Sequence, residues 1–169
     1  MVRDIRDQGK LGLTLGMQPW VIGAIICSLG VALTAMFHIM GASGRWHGKT
    51  APLFCAQALI IFLLFISVRF DSAVAFGVIF AGLGAGFGVT YSYSLYYSIL
   101  GSLNKGAASG RHEMVLGMGA LLGPLLGGAA AEILQTQRAP YALGAALMLV
   151  CVVAQAFLLV STRGRRAHG

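Results

Sequence analysis

Five long apolar segments, separated by short polar connections, make up most of this chain. A helix needs about 20 apolar residues to cross the hydrocarbon core of a bilayer. Because that core holds no water to bond the backbone, only helices and closed barrels can span it. The segments therefore predict an all-α fold, a polytopic transmembrane helical bundle within residues 19–161. The five predicted spans are about 19–40, 51–68, 72–100, 113–134 and 140–160.

The composition also indicates an integral membrane protein. Hydrophobic residues make up 57% of the chain and charged residues only 10%, whereas soluble domains carry about 25% charged residues. The mean hydropathy is +0.81. The connections at 69–71 and 135–138 are short, so the spans on either side of each connection must be antiparallel neighbours. An apolar helical bundle follows.

Basic residues in the connections predict the orientation, because cytoplasmic loops of membrane proteins carry an excess of Lys and Arg. One side of the bundle has Arg69 and Arg138, together with Arg3, Arg6 and Lys10 of the amino-terminal segment 1–18. The other side has seven basic residues, namely Arg45, Lys49, Lys105, Arg111, Arg163, Arg165 and Arg166. This second side is predicted to be cytoplasmic. The basic tail 162–169 then lies in the cytoplasm, residues 1–18 lie outside, and the protein resides in the plasma membrane.

Several other function classes are disfavoured by the sequence. The net charge of +7 is dispersed among the loops and lacks the interleaved aromatic residues of a nucleic-acid groove. No Ser/His/Asp set, HExxH motif or intramembrane carboxylate pair occurs, so we expect no enzymatic activity. Cys27, Cys55 and Cys151 lie singly in apolar spans, which predicts buried thiols and neither a disulfide nor a metal site. No cofactor is expected.

In the third and fourth spans, glycines recur at four-residue intervals. Residues four apart share a helix face, and small residues there let two membrane helices approach closely. The predicted packing positions are Gly84, Gly88, Gly119, Gly123, Pro124, Gly127 and Gly128. For the third span, a flexible bend used in gating is the alternative interpretation.

The stretch 82–128 resembles the tenth and eleventh helices of transporters of the major facilitator superfamily, with their cytoplasmic connection. The sequence GASGRWHGK at 41–49 is similar to the basic loop between the eighth and ninth helices, and the fifth span would be the twelfth helix. The resemblance covers nearly the whole chain and is most specific at the Gly-Pro and Gly-Gly pairs of 123–128. It implies part of a major-facilitator fold, which transports a small solute by alternating access.

Members of this superfamily have two six-helix halves, whereas this chain has five predicted spans. The resemblance therefore implies the carboxyl-terminal part, about helices 8–12, of a truncated or split secondary transporter that is incomplete alone. Its partners would be the lipid bilayer, the solute, and either the missing amino-terminal helices or another copy of the chain. A membrane scaffold or assembly partner that does not transport is the alternative, since it explains five helices without missing sequence.

The resemblance gives the third span a candidate binding role, because the tenth helix of the family lines the central cavity. Thr90, Tyr93, Ser94, Tyr97 and Ser98 fall within one arc at about 100° per residue. The implied solute contacts are Thr90, Tyr93, Ser94 and Tyr97. As an alternative, the tyrosines form an interfacial aromatic belt and the serines bond back to their own helix carbonyls.

Arg111, His112 and Glu113 directly precede the apolar part of the fourth span. One interpretation is structural: Glu113 at a helix amino terminus is stabilised by the helix dipole and pairs with Arg111 or Lys105. Another is a cytoplasmic gate, in which the three charges exchange partners as the halves of a transporter move. A proton relay through His112 is a third, since imidazole titrates near physiological pH.

Two glutamines, Gln57 and Gln155, lie inside apolar spans. In the resembling family the ninth and twelfth helices lie outside the cavity. We therefore expect both side chains to bond to neighbouring helices rather than to a solute, with about 0.6 kcal/mol per bond.

Overall fold

The computed structural model of this chain describes residues 16–167, with the side chains of 160 and 162–167 left aside. The predicted amino-terminal segment 1–18 therefore lies almost entirely outside the described residues, as do residues 168 and 169. Within the described part the chain forms five helices and is all-α. They are α1 (Pro19–Ala42), α2 (Ala51–Ser67), α3 (Ala73–Ile99), α4 (Lys105–Ile133) and α5 (Ala139–Ala167).

Four helices are long and apolar enough to cross a membrane: α1, α3, α4 and the 139–159 part of α5. This indicates an integral membrane protein. The remaining helix, α2, has 17 residues, a length of about 25 Å. The residues that flank it nevertheless form hydrogen bonds at opposite ends of the bundle. The Lys49 carbonyl oxygen accepts from Tyr93, and the Val68 carbonyl oxygen accepts from Arg138.

The helices are arranged as a ring of four with one helix outside it. Helix α3 contacts α1, α2 and α4, while α5 contacts α2 and α4. Helices α3, α2, α5 and α4 thus close a ring, and α1 packs on α3 from outside. We call the end with the loops 43–50 and 100–104 the basic end, and the end with the loops 68–72 and 134–138 the opposite end.

Glycines of α3 pack against two helices at once. A Cβ atom on Gly84 would lie 2.2 Å from the carbonyl oxygen of Leu29 in α1, and one on Gly88 would lie 2.6 Å from Cβ of Met36. Two further glycines, Gly82 and Gly86, face α2, where a Cβ atom would meet a Leu or Ile side chain at 2.6 Å. The glycines therefore allow close contact on both faces of α3, and Gly84 and Gly88 are packing positions as predicted.

The second glycine stripe does not pack within the described chain. Nothing lies within 4 Å of a Cβ atom placed on Gly119, Gly123 or Gly128, whereas one on Gly127 would lie 3.3 Å from Cβ of Pro140. All residues from 113 to 126, Pro124 included, are exposed. The predicted packing of α4 is thus confined to Gly127, because the other helices reach α4 only near its two ends.

Helix α4 begins eight residues before the predicted span, at Lys105 instead of Glu113. Asn104 caps it, since its side-chain oxygen accepts a hydrogen bond from the Ala107 amide at 3.0 Å. Side-chain acceptors of this kind satisfy an otherwise unbonded amide of the first turn. The interpretation that Glu113 is stabilised at a helix amino terminus is therefore wrong, because the carboxylate lies beyond the first turn where the dipole acts.

Helix α5 also exceeds its predicted span, because it continues as helix to Ala167. Most of the predicted tail 162–169 is therefore helical. The three cysteines differ from expectation as well: Cys27, Cys55 and Cys151 are free and exposed on the helix surfaces. Each lies on a face that meets no other helix of the described chain closely enough to bury it.

At the opposite end, Arg138 joins two loops. Its guanidinium donates to the carbonyl oxygen of Val68 and to the carboxylate of Asp71. These bonds attach the loop before α5 to the loop between α2 and α3. A basic residue of this end thus has a structural role in the described bundle.

The two glutamines bond to each other between α2 and α5. Nε2 of Gln57 donates to Oε1 of Gln155 over 3.0 Å, and the Gln57 side chain is buried. The expectation that they bond to neighbouring helices is confirmed. Oε1 of Gln57 has no partner in the described residues.

We expect Gln155→Leu to be more destabilising than the double change Gln57→Leu with Gln155→Leu. The single change leaves buried amide donors of Gln57 without an acceptor, whereas the double change removes both polar groups. Unfolding of the four variants of this cycle in detergent micelles should give a coupling free energy of about 0.6 kcal/mol. A coupling of zero would show that the bond contributes nothing to the pairing of α2 with α5.

Candidate functional site

The predicted polar face of α3 divides into two parts that face different neighbours. Tyr93 and Tyr97 face the loop between α1 and α2. Ser94 and Ser98 lie along a cleft against α4. The two groups share an arc of the helix, but the loop and α4 cover different portions of that arc.

Tyr93 is a structural residue of the basic end. Its side chain is 1% exposed, and its hydroxyl lies 3.0 Å from the carbonyl oxygen of Trp46 and 2.6 Å from that of Lys49. The Tyr93 and Trp46 rings pack with centroids 4.7 Å apart. The loop occupies its hydroxyl and buries its ring, so this structure does not support the predicted solute contact of Tyr93, which stays a prediction.

Tyr97 belongs to the same aromatic cluster, which we define as Trp46, His47, Tyr93, Tyr96 and Tyr97. The Tyr97 hydroxyl accepts a hydrogen bond from the Gly48 amide at 3.2 Å, and the His47 ring stacks on Tyr96 with centroids 4.3 Å apart. Tyr97 is thus placed against the loop instead of a cleft. The sequence interpretation missed the contribution of Trp46 and His47, although an aromatic pair in one loop opposite a tyrosine-rich helix end is a usable signal.

Thr90 bonds back to its own helix, as the alternative interpretation of the polar face has it for the serines. Its hydroxyl donates to the Gly86 carbonyl oxygen of its own helix at 2.9 Å. Ser92 bonds in the same way to Gly88 at 2.8 Å. Bonds of this kind satisfy a hydroxyl inside an apolar helix without any partner from outside.

A polar network joins α3 to α4 near the basic end. The Tyr91 hydroxyl donates to Oε1 of Glu113 at 2.5 Å, and Nδ1 of His112 lies 3.4 Å from the same oxygen. On the other side of the ring, Nε2 of His112 lies 2.7 Å from Oγ of Ser94. We call Tyr91, Ser94, His112 and Glu113 the α3–α4 network. Glu113 thus pairs with His112 and Tyr91, and not with Arg111 or Lys105 as predicted.

The Ser94 hydroxyl has two possible acceptors, and its choice determines the role of Nε2 of His112. If Ser94 donates to the Tyr91 carbonyl oxygen at 2.9 Å, Nε2 donates to Ser94. If Ser94 turns to Nε2, that nitrogen accepts. Nδ1 of His112 is buried and makes no hydrogen bond to a described residue, so its approach to Glu113 is an electrostatic contact.

A cleft of about 420 Å³ opens beside this network, between α3 and α4. We call it the α3–α4 cleft. Its lining residues are Ser94, Ser98, Ala108, Arg111, His112, Val115 and Leu116. It brings together two of the three predicted gate residues, Arg111 and His112, with Ser94, which is the one predicted solute contact that lines it.

A second groove of about 320 Å³ lies between α1 and α3. Phe37, Met40, Trp46, Leu95 and Tyr96 contribute to its walls. No charged residue lines this groove, so it has little with which to orient a polar solute. The α3–α4 cleft is therefore the better candidate site.

Comparison of the chain with protein-family models, with curated proteins and with solved structures found no match. The resemblance to the major facilitator superfamily thus stays a prediction from the sequence.

Proposed function

We propose that this chain is the carboxyl-terminal part of a secondary transporter of the major-facilitator type, corresponding to about helices 8–12. It moves a small solute by alternating access together with further helices, in the plasma membrane, with its carboxyl terminus in the cytoplasm. The observation that carries the proposal is the middle of α4, which is exposed from 113 to 126 directly beside the α3–α4 cleft.

Helix α4 is held only at its ends. Gly127 approaches Pro140 of α5 near the opposite end, and the α3–α4 network joins α4 to α3 near the basic end. Between these contacts the helix is apolar and presents an unused stripe at Gly119 and Gly123. Stripes of small residues are typical of faces where a second membrane helix packs. A further set of helices would cover this side and close the cleft into a cavity.

The α3–α4 network suits a gate in such an assembly. Tyr91 and Ser94 are on α3, whereas His112 and Glu113 are on α4, so any separation of the two helices must break these bonds. The charges would then find other partners on the opposing helices. In transporters of this type, one repeat moves against the other around a site near the midplane.

The test begins with the coding sequence upstream of this chain, which should specify the further hydrophobic helices. The joined product is then reconstituted in sealed vesicles and assayed for uptake of labelled sugars, organic acids and organic cations. Saturable uptake that this chain alone does not give is the expected result. If the upstream sequence encodes nothing hydrophobic and the five-helix product is stable by itself, the chain is better described as a membrane scaffold.

The exposed stripe of α4 gives a second test of the same proposal. Gly123→Leu should leave the stability of the isolated chain unchanged, or raise it by up to about 1 kcal/mol through helix propensity, because nothing lies within 4 Å of that position. In the joined product the same change should weaken helix association and reduce uptake. Gly117→Leu is the matched control, since Gly117 is equally unpacked but lies on another face of α4. Equal uptake by both variants would argue against this stripe as the interface.

A further inference from the structure

We infer that the α3–α4 cleft binds an anionic group of carboxylate or phosphate type. That such an anion is the transported solute rests on the proposed function, whereas the binding itself does not. The inference depends on the charge balance of the cleft, on its hydrogen-bond donors and on its size.

The charge balance is positive because Arg111 faces the cleft without a counter-ion among the described residues. Within residues 16–167 the carboxylates are those of Asp71, Glu113 and Glu132. Asp71 pairs with Arg138 at the opposite end, and Glu132 lies in the last turn of α4, near that same end. Glu113 accepts from Tyr91 and faces His112. No described carboxylate therefore neutralises Arg111, whose planar guanidinium matches a carboxylate or phosphate with two parallel bonds.

The positions of Lys105 and Glu113 on α4 are consistent with a positive charge in the cleft. Residues 108, 111, 112, 115 and 116 of the lining occupy one arc of α4 at about 100° per residue, and Glu113 falls outside that arc. Lys105, one turn before Ala108, is a further cation of the basic end but does not line the cleft. The nearest negative charge is thus on the far side of the His112 ring, engaged with Tyr91 of α3.

Hydroxyl groups complete the donor set. Ser94 and Ser98 donate to carbonyl oxygens of their own helix at 2.9 and 2.6 Å. Such carbonyls also accept the regular helical bond, so they keep a partner when the hydroxyl turns away. Both hydroxyls can therefore rotate to donate to an anion in the cleft. An anion held by Arg111 and by these hydroxyls would bond to both α3 and α4.

The volume of the α3–α4 cleft limits its ligand to a small molecule. At about 420 Å³ the cleft is near the lower limit of ligand pockets, which run from about 300 to 1,000 Å³. Its apolar wall consists of Ala108, Val115 and Leu116. A short hydrocarbon chain fits that wall, so a small organic carboxylate uses both the charged and the apolar parts of the cleft.

Binding can be tested on the purified five-helix chain in nanodiscs of neutral phosphatidylcholine. The probes are butyrate and inorganic phosphate, and butyramide is the neutral control of the same shape as butyrate. We expect both anions to raise the unfolding temperature in a saturable manner and butyramide to have no effect. Arg111→Gln should weaken anion binding by about tenfold to a hundredfold, the usual loss for a charge-assisted bond. Arg111→Lys, which keeps the charge but not the paired geometry, should give an intermediate loss.

Lys105→Gln is the matched control, because it removes a cation at the same end that does not line the cleft. It should retain binding within about threefold, as expected for a screened, exposed charge. The inference is overturned if butyramide acts as butyrate does, or if Arg111→Gln and Lys105→Gln behave alike. Should Arg111→Gln fail to fold, the comparison of Arg111→Lys with Lys105→Gln gives the same decision.

The source of the anion is decided by repeating the titration in nanodiscs that contain phosphatidylglycerol. If a lipid headgroup fills the site, phosphatidylglycerol stabilises the native chain but not Arg111→Gln, and butyrate adds nothing further. If a free solute fills it, the response to butyrate is unchanged. Either result supports an anion site. Butyrate binding without uptake by the joined product would refute the transporter proposal alone, whereas uptake without anion binding would refute this inference alone.

Discussion

Gly84→Ala should separate α1 from α3 and lower the free energy of unfolding by about 3 kcal/mol or more, at the upper end of overpacking effects. The added Cβ atom would lie 2.2 Å from the Leu29 carbonyl oxygen, which belongs to the backbone and cannot rotate away. The whole of α1 must therefore shift. Unfolding of the purified chain in detergent micelles, followed by circular dichroism, measures the loss.

Gly77→Ala is the matched control for that experiment. Gly77 is in the same helix, and nothing lies within 4 Å of its added Cβ atom. Replacing an unpacked helical glycine with alanine gains up to about 1 kcal/mol from helix propensity. The two alanine variants should therefore shift in opposite directions. Identical midpoints would mean that α1 and α3 are not in close contact at Gly84.

Tyr93→Ala should lower the free energy of unfolding by about 3–5 kcal/mol, the usual range for deleting a buried aromatic side chain. Tyr93 is almost fully buried and connects α3 to the loop through two carbonyl oxygens and the Trp46 ring. Tyr93→Phe keeps the ring and removes only the hydroxyl, so about 1 kcal/mol is expected. Unfolding in micelles measures both variants, with Tyr97→Ala as a more exposed control.

If the chain is part of a transporter, as proposed, Tyr93 also serves to distinguish structural from solute-binding roles. Tyr93→Phe should leave the affinity for a solute unchanged, because its hydroxyl is turned to the loop. Ser94→Ala should weaken that affinity, because Ser94 lines the α3–α4 cleft. A loss of affinity in Tyr93→Phe with none in Ser94→Ala would reverse our assignment of the two faces.

The number of helices could be predicted from the sequence because apolar runs and short loops leave little choice. The start of α4 could not be placed so well, since 105–112 is polar and holds Gly106 and Gly110, which lower helix propensity. Asn104 was an available signal, because asparagine is a preferred helix cap. The cap outweighed the unfavourable composition of the first turns.

The sequence alone could not predict which helix packs against each helix face. The stripes at Gly84 and at Gly119 follow the same spacing, yet only the first contacts another helix of the described chain. Periodicity predicts which residues share a face, but it does not predict which helix packs against that face. The same limit affected α3, where Tyr93 and Ser94 share an arc but meet different neighbours.

The α3–α4 network shows how a weakly packed helix can still be positioned. The side chain of His112 is 7% exposed, although the following residues of α4 are open as far as 126. Tyr91 and Ser94 hold His112 and Glu113 of α4 by hydrogen bonds, together with an edge-on contact between the Tyr91 and His112 rings. Hydrogen bonds between membrane helices are modest in strength. This junction can therefore open at lower cost than the glycine contacts of α3 with α1.

The two tryptophans of the chain stand at the two ends of α1. Trp20 begins the helix and is 70% exposed, whereas Trp46 follows its other end and donates its indole N–H to the Met40 carbonyl oxygen at 2.9 Å. The helix between them has 24 residues, a length of about 36 Å. In sealed vesicles, a quencher that cannot cross the bilayer should quench the fluorescence of the tryptophan on its own side and leave that of the other unchanged. The protein thus carries a pair of intrinsic optical markers from which its sidedness can be read without any label.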